Sequence, residues 1–206
     1  MYNILKSGSS GNCVIYLDTI AVDMGISYKM IEPYKKQLQL VLLTHHHSDH
    51  LKLSTIQKLA AERPSVRFAG GEFLKDKLQG IKNFDILDSG KIYDYGLFKV
   101  SPVTLYHDIP TFGFRIFQDE TKILHCTDSY TLEGITAKDY SLYAIEHNHC
   151  EELLNERIEQ KQKRGQFAYE IGAKNSHLSE QQAKEFIFKN ANENSKVIRL
   201  HESKNY

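Results

Sequence analysis

The chain has 206 residues, 41% hydrophobic and 25% charged, which is the balance of a folded globular protein and excludes a disordered or collagen-like one. Lys plus Arg and Asp plus Glu are 26 each, so bulk charge does not draw the protein to nucleic acid and only a local basic patch is left for that purpose. Three cysteines without a CxxC pair exclude a disulfide framework and a zinc ribbon, and no apolar run approaches the roughly 18 residues of a membrane span. The first residues do not read as a signal peptide, so a single cytoplasmic domain over residues 1–206 is expected.

Residues 3–6, 14–18 and 20–23 read as short strands around the turn-forming run Ser7-Gly-Ser-Ser-Gly-Asn12. Ser27 is placed to cap a short helix that Pro33 interrupts. Residues 40–44 form a buried strand, 54–62 a helix, 66–69 a strand and 72–78 a further helix. Strands follow at 84–87, 97–105, 112–118, 122–126 and 142–146. Two helices at 151–163 and 181–190 precede a last strand at 197–200, and Ser179-Glu-Gln-Gln182 matches a capping box for the second helix. The order predicts an α/β fold of sheets covered by helices.

Thr44-His-His-His-Ser-Asp-His50 follows the apolar strand directly and contains HxHxDH. Alternation puts His45 and His47 on one side, spaced to chelate a single metal, while Asp49 and His50 lie past the strand end and offer an oxygen and a nitrogen to another. Imidazole and carboxylate without thiolate suit Zn, Mn or Fe in an open site. His107, Asp128 and His201 each close a later strand, and together with the motif they make a set of seven candidate ligands.

These residues, with Asp23 before Gly25, resemble the metallo-β-lactamase superfamily in kind and order. The resemblance implies a four-layer αββα sandwich carrying two divalent metal ions, Zn or Mn. It assigns His45, His47 and His107 to one ion and Asp49, His50 and His201 to the other. Asp128 is shared between them, and Asp23 orients a ligand histidine. Two such ions suit hydrolysis because they lower the pKa of water and neutralise charge on the reacting centre. The fold hosts lactams, lactones, thioesters and phosphodiesters, so it does not name the substrate.

Glu146, closing a strand, and His177, just before the capped helix, resemble the catalytic pair of RNase Z and its relatives. That resemblance implies proton transfer to a leaving oxygen, which phosphodiester cleavage needs because alkoxide leaves poorly. Asp49, His177 and Glu146 are therefore the expected catalytic residues. The Ser7–Asn12 opening, Glu146-x-Asn148-His149 and His177-Leu-Ser179 resemble the small YycJ-like (WalJ-like) exonuclease branch, in a minimal, phage-type form. Cys150, Ser129-Tyr130 and Ser176 depart from its pattern, and the interval from Asp128 to His201 is too short for the inserted domain of the β-CASP nucleases.

The expected activity is hydrolysis of nucleic acid, as a DNA exonuclease. Cyclic-nucleotide or other small phosphodiester hydrolysis of the anti-defence type is the alternative, and a non-catalytic metal-binding module is a third reading. Arg157, Lys161, Lys163 and Arg164 form a basic stretch that suits flanking phosphates and reads equally as a solvated helix face. Ser9 and Asn12 offer a flexible loop to a phosphate or simply form a turn. Tyr106, Phe112, Phe114 and Tyr130 flank ligand positions, as base-stacking or core residues. The resemblance also implies a homodimer.

Overall fold

The computed structural model describes residues 1–202. The chain divides into two compact units, Met1–Lys91 and the remainder from Ile92, each built on one six-stranded mixed sheet.

In the first unit, β1 (Tyr2–Lys6), β2 (Cys13–Tyr16) and β3 (Ile20–Val22) run antiparallel, and β4 (Leu40–Leu43), β5 (Arg67–Gly70) and β6 (Phe84–Ile86) continue the sheet in parallel. β4 is buried at every position, as its unbroken apolar run requires. Helix α1 (Tyr28–Ile31) gives way to a 3-10 turn at Glu32–Tyr34, with Pro33 in its first turn where a missing N–H costs nothing. Ser27 stands at the cap of α1, where its carbonyl accepts from Met30 N at 3.0 Å but its hydroxyl makes no capping bond. Helix α2 (Leu53–Glu62) packs Ile56 and Leu59 into a core with Ile15, Val41, Leu43 and Phe68.

The helix expected at 72–78 is not formed. Glu72–Leu74 is a 3-10 turn, and Leu74, Lys75 and Lys77 bond to carbonyls three residues back. Leu78 N reaches back four residues to Leu74 O at 3.1 Å, and glycines at 70, 71 and 80, poor helix formers, flank the segment.

The second unit places β7 (Tyr93–Asp94), β8 (Lys99–Leu105), β9 (Thr111–Gln118) and β10 (Thr121–Cys126) antiparallel, then β11 (Leu142–Glu146) and β12 (Lys196–Leu200) parallel. Pro102 is tolerated within β8 because β7 pairs only with residues 99 and 100, which leaves that edge of Pro102 without a ladder partner. Helix α3 (Glu151–Lys163) keeps its expected bounds, and α4 (Glu170–Ser176) is a helix the sequence reading left out. Helix α5 (Glu180–Asn190) contributes Ala183 and Phe186 to a core with Leu124, Tyr143, Ile145 and Leu178.

The capping box at α5 is complete: Gln182 N donates to Ser179 Oγ at 3.1 Å, and Ser179 N donates to Gln182 Oε1 at 2.9 Å. Ser179 is fully buried. Ser179→Ala is expected to cost about 1–2 kcal/mol, read as a lowered urea midpoint with an unchanged m-value.

Candidate metal centre

Three of the candidate residues stand one or two positions past a strand end with positive φ: Asp23 (62°) after β3, Asp128 (56°) after β10 and His201 (50°) after β12. Asp and His tolerate this left-handed conformation better than most residues, and the sharp turn fixes the side chain to a rigid strand.

In the first unit the buried Asp23 carboxylate organises the histidine motif. Oδ1 accepts from Thr44 N and Thr44 Oγ1, each at 2.9 Å, and Oδ2 lies 2.7 Å from His50 Nδ1. Carboxylate only accepts, so His50 Nδ1 carries the proton and Nε2 is left with its lone pair. Thr44 Oγ1 gives its proton to Asp23 and stands 2.9 Å from His45 Nδ1, so that nitrogen is also the protonated one. His45 Nε2 then points at His47 Nδ1, 3.2 Å away, and His50 Nε2 lies 3.5 Å from Asp49 Oδ2.

Asn12 spends its amide inside the protein. Its Oδ1 accepts from Gly8 N at 2.8 Å, and Nδ2 lies 2.8 Å from His50 Nε2 and 3.3 Å from Asp49 Oδ2. The side chain thus ties the Ser7–Asn12 loop to the Asp49–His50 turn, while Ser9 is exposed on that loop.

In the second unit His107, Asp128, Glu146, His177 and His201 converge. His107 Nδ1 donates to Ser176 O at 2.9 Å, which turns Nε2 toward Asp128 Oδ2 at 3.8 Å. His201 Nε2 lies 3.8 Å from the other oxygen, Asp128 Oδ1. Each pair is too far apart for a hydrogen bond, and the spacing suits two ligands of one ion with bonds of about 2.0–2.2 Å. The donor set of imidazole and carboxylate, held in chosen tautomers, fits divalent metal in both units.

Glu146 is buried, with four nitrogens gathered around its carboxylate. Oε1 lies 2.6 Å from His177 Nδ1 and 3.4 Å from His201 Nδ1, and Oε2 accepts from Ser129 N at 3.1 Å and Leu178 N at 3.2 Å. Burial alone would raise its pKa, and the His177 and His201 contacts outweigh burial and hold it below the usual value. Burial likewise opposes charging of His177, but the Glu146 carboxylate lifts its pKa above that of an ordinary histidine. Asp128, Glu146, His177 and His201 each bring a ligand atom within 4.8 Å of the others.

Four contributors carried no expected role. Thr44 relays Asp23 to His45, and the Ser176 carbonyl orients His107. Asp108 Oδ1 stands 3.0 Å from His107 Nε2. Asn148 Nδ2 lies 3.1 Å from both the carbonyl oxygen and Nδ1 of His201. Asn148 was visible in the Glu146-x-Asn148-His149 run, whereas a backbone carbonyl leaves no trace in a sequence.

The basic stretch lies on α3 and its C-cap. Lys161 is held by Glu170 at 2.6 Å and sits 3.7 Å over the Tyr169 ring, and Lys163 pairs with Glu159 at 3.5 Å. Arg157 and Arg164 are exposed. Cys126 is buried, which pushes its thiol up to about 12, and it is inert at neutral pH.

A family model described as the beta-lactamase superfamily domain matches residues 9–178, and the chain belongs to that family. Exodeoxyribonuclease WalJ of Streptococcus pneumoniae is 29% identical over 177 residues, covering 74% of this chain and 64% of that protein. Exodeoxyribonuclease YycJ of Bacillus anthracis is 28% identical over 173 residues with the same coverage. The chain thus spans about 64% of the length of these curated relatives.

Among solved structures, the metallo-beta-lactamase fold protein YhfI from Bacillus subtilis superposes with a TM-score of 0.75 at 13% identity, covering 98% of this chain and 86% of that one. The short form of human tRNase Z gives 0.71 at 15% identity, covering 100% and 93%. The α/β architecture is therefore the metallo-β-lactamase fold. Among the described residues, no helix is long and apolar enough to cross a membrane.

Gly25 shows how tightly the motif is held. A Cβ built there would lie 1.6 Å from the Asp49 carbonyl oxygen, which is backbone and cannot swing aside. Gly25→Ala is expected to destabilise the protein by about 1–3 kcal/mol or more and to displace Asp49 and His50. Urea unfolding, together with the content of bound divalent metal, checks both effects.

Proposed function

We propose that this protein is a metal-dependent phosphodiesterase that hydrolyses nucleic acid, working as a DNA exonuclease. The observation that carries the reading is the Glu146–His177 pair, 2.6 Å apart and beside Asp128. Lactam or lactone opening has no evident need of such a pair, whereas expulsion of a nucleoside alkoxide needs a proton donor. The relatives named exodeoxyribonuclease support the same direction.

In this reading His45, His47, Asp49, His50, His107, Asp128 and His201 would hold two divalent ions, Zn or Mn. When bound, such ions would supply a lowered pKa for water and countercharge for the phosphoryl group. Asp23 and the Ser176 carbonyl keep the ligand imidazoles in the tautomers that present Nε2. Glu146 holds His177 by Nδ1 and favours its imidazolium form, so the ring's other nitrogen carries a proton to the leaving oxygen.

The test is product analysis on duplex DNA with and without a 5′-phosphate, single-stranded DNA and RNA, and 3′,5′-cyclic nucleotides, with Mn and Zn supplied separately. Release of mononucleotides from DNA is expected, and Asp49→Ala and Asp128→Ala should abolish it while the fold persists. His177→Ala should lower kcat by about 10²–10⁴-fold with little change in KM. Intact DNA under all conditions, or full activity of either Asp variant at matched metal content, sinks the proposal.

Hydrolysis of a small cyclic phosphodiester is the second reading, favoured by the zero net charge and by the pairing of Lys161 with Glu170 and of Lys163 with Glu159, which engages two of the four cations of the basic stretch. Salt dependence separates the two. A polymer substrate gives a kcat/KM that falls steeply between 50 and 200 mM salt, and a mononucleotide gives a shallow slope.

A further inference from the structure

The four aromatics near the ligands separate sharply in the structure. Phe112 and Phe114 are 9% and 0% exposed and belong to the core of β9, whereas Tyr106 and Tyr130 are 47% and 44% exposed. Their ring centroids lie 5.8 Å apart. Tyr106 directly precedes His107, and Tyr130 stands two residues past Asp128.

The two rings stand on a stiff support. Tyr130 N donates to Tyr106 O at 2.9 Å, and Tyr106 N donates to Ser129 Oγ at 3.1 Å. Gln182 on α5 donates to Tyr130 O at 3.0 Å, and Ser129 N is held by Glu146. An exposed aromatic pair is costly to leave in water, and here its backbone is fixed on both sides while nearly half of each side chain is exposed.

We propose that Tyr106 and Tyr130 form a ledge that stacks a nucleobase, fixing the nucleotide whose phosphate lies at the metal that His107 and Asp128 would hold. Stacking tolerates any base because every base has a π-face, so the ledge confers preference for a nucleoside phosphodiester over a bare phosphodiester, without base sequence preference. The inference rests on the phosphodiesterase reading for what the neighbouring residues do. It does not depend on the substrate being a polymer.

The first experiment reads binding alone. The fluorescence of 2-aminopurine deoxyribonucleoside 5′-monophosphate is titrated with the wild-type protein, Tyr106→Ala/Tyr130→Ala and Tyr106→Phe/Tyr130→Phe. Quenching is expected with wild type and with the Phe pair, and the Ala pair should bind about tenfold more weakly or worse. Deoxyribose 5-phosphate should compete poorly with wild type. Equal affinity of wild type and the Ala pair overturns the ledge, as does equal competition by the base-free sugar phosphate.

The second experiment is steady-state cleavage of single-stranded DNA with a normal or an abasic terminal residue. The Ala pair should raise KM about tenfold on the normal strand, leave kcat within about twofold, and change nothing on the abasic strand. A fall in kcat alone, or the same loss on both strands, means the tyrosines act only as structural support. Failure of wild type to cut DNA removes the nuclease reading, while the binding experiment still decides the ledge.

Discussion

An imidazole offers a lone pair in a chosen direction only when its other nitrogen has its proton held by an acceptor. The first unit meets that condition for two histidines with one buried carboxylate, and in the second the Ser176 carbonyl meets it for His107 while a buried carboxylate gathers two further imidazoles. Asp23 takes the Nδ1 proton of His50 directly and that of His45 through Thr44. Glu146 lies against Nδ1 of both His177 and His201. The carboxylates are dry, so each contact is electrostatically stronger than it would be in water, and a missing partner would cost correspondingly more.

The demand for such geometry explains where the backbone departs from ease. Asp23, Asp128 and His201 all take positive φ immediately beyond strands whose own conformations are regular. The sheets supply stiffness, and the turns supply aim. Gly25 extends the logic: only the absence of a side chain lets the Asp49 backbone pass so close to it.

What the sequence disclosed follows from how local each signal is. HxHxDH next to a buried strand and the capping box at Ser179 involve residues within one turn or strand end, and they could be read directly. The segment at 72–78 had helix-forming side chains, but it lies between glycines at 70, 71 and 80 and closes mainly into 3-10 turns. Helix α4 went unread because Gly172 sits inside it and only Glu170 is buried along it, so no apolar stripe marks it. The roles of Thr44, the Ser176 carbonyl and Asn148 depend on contacts between distant positions, which periodicity and spacing do not encode.

The zero net charge bears on how a nucleotide would be held. A protein that binds by releasing counterions needs a run of uncommitted cations, and here Lys161 and Lys163 answer to Glu170 and Glu159. In the proposed reading affinity rests on short-range terms: the charge of the divalent ions that the candidate ligands would hold and apolar contact with the base. Tyr106 and Tyr130 provide the second beside His107 and Asp128, which belong to the first. With both terms acting on a single nucleotide, recognition would be local and tolerant of base sequence. That suits an enzyme that meets its substrate one residue at a time, and it fits either an exonuclease or a mononucleotide hydrolase better than a reader of extended duplex.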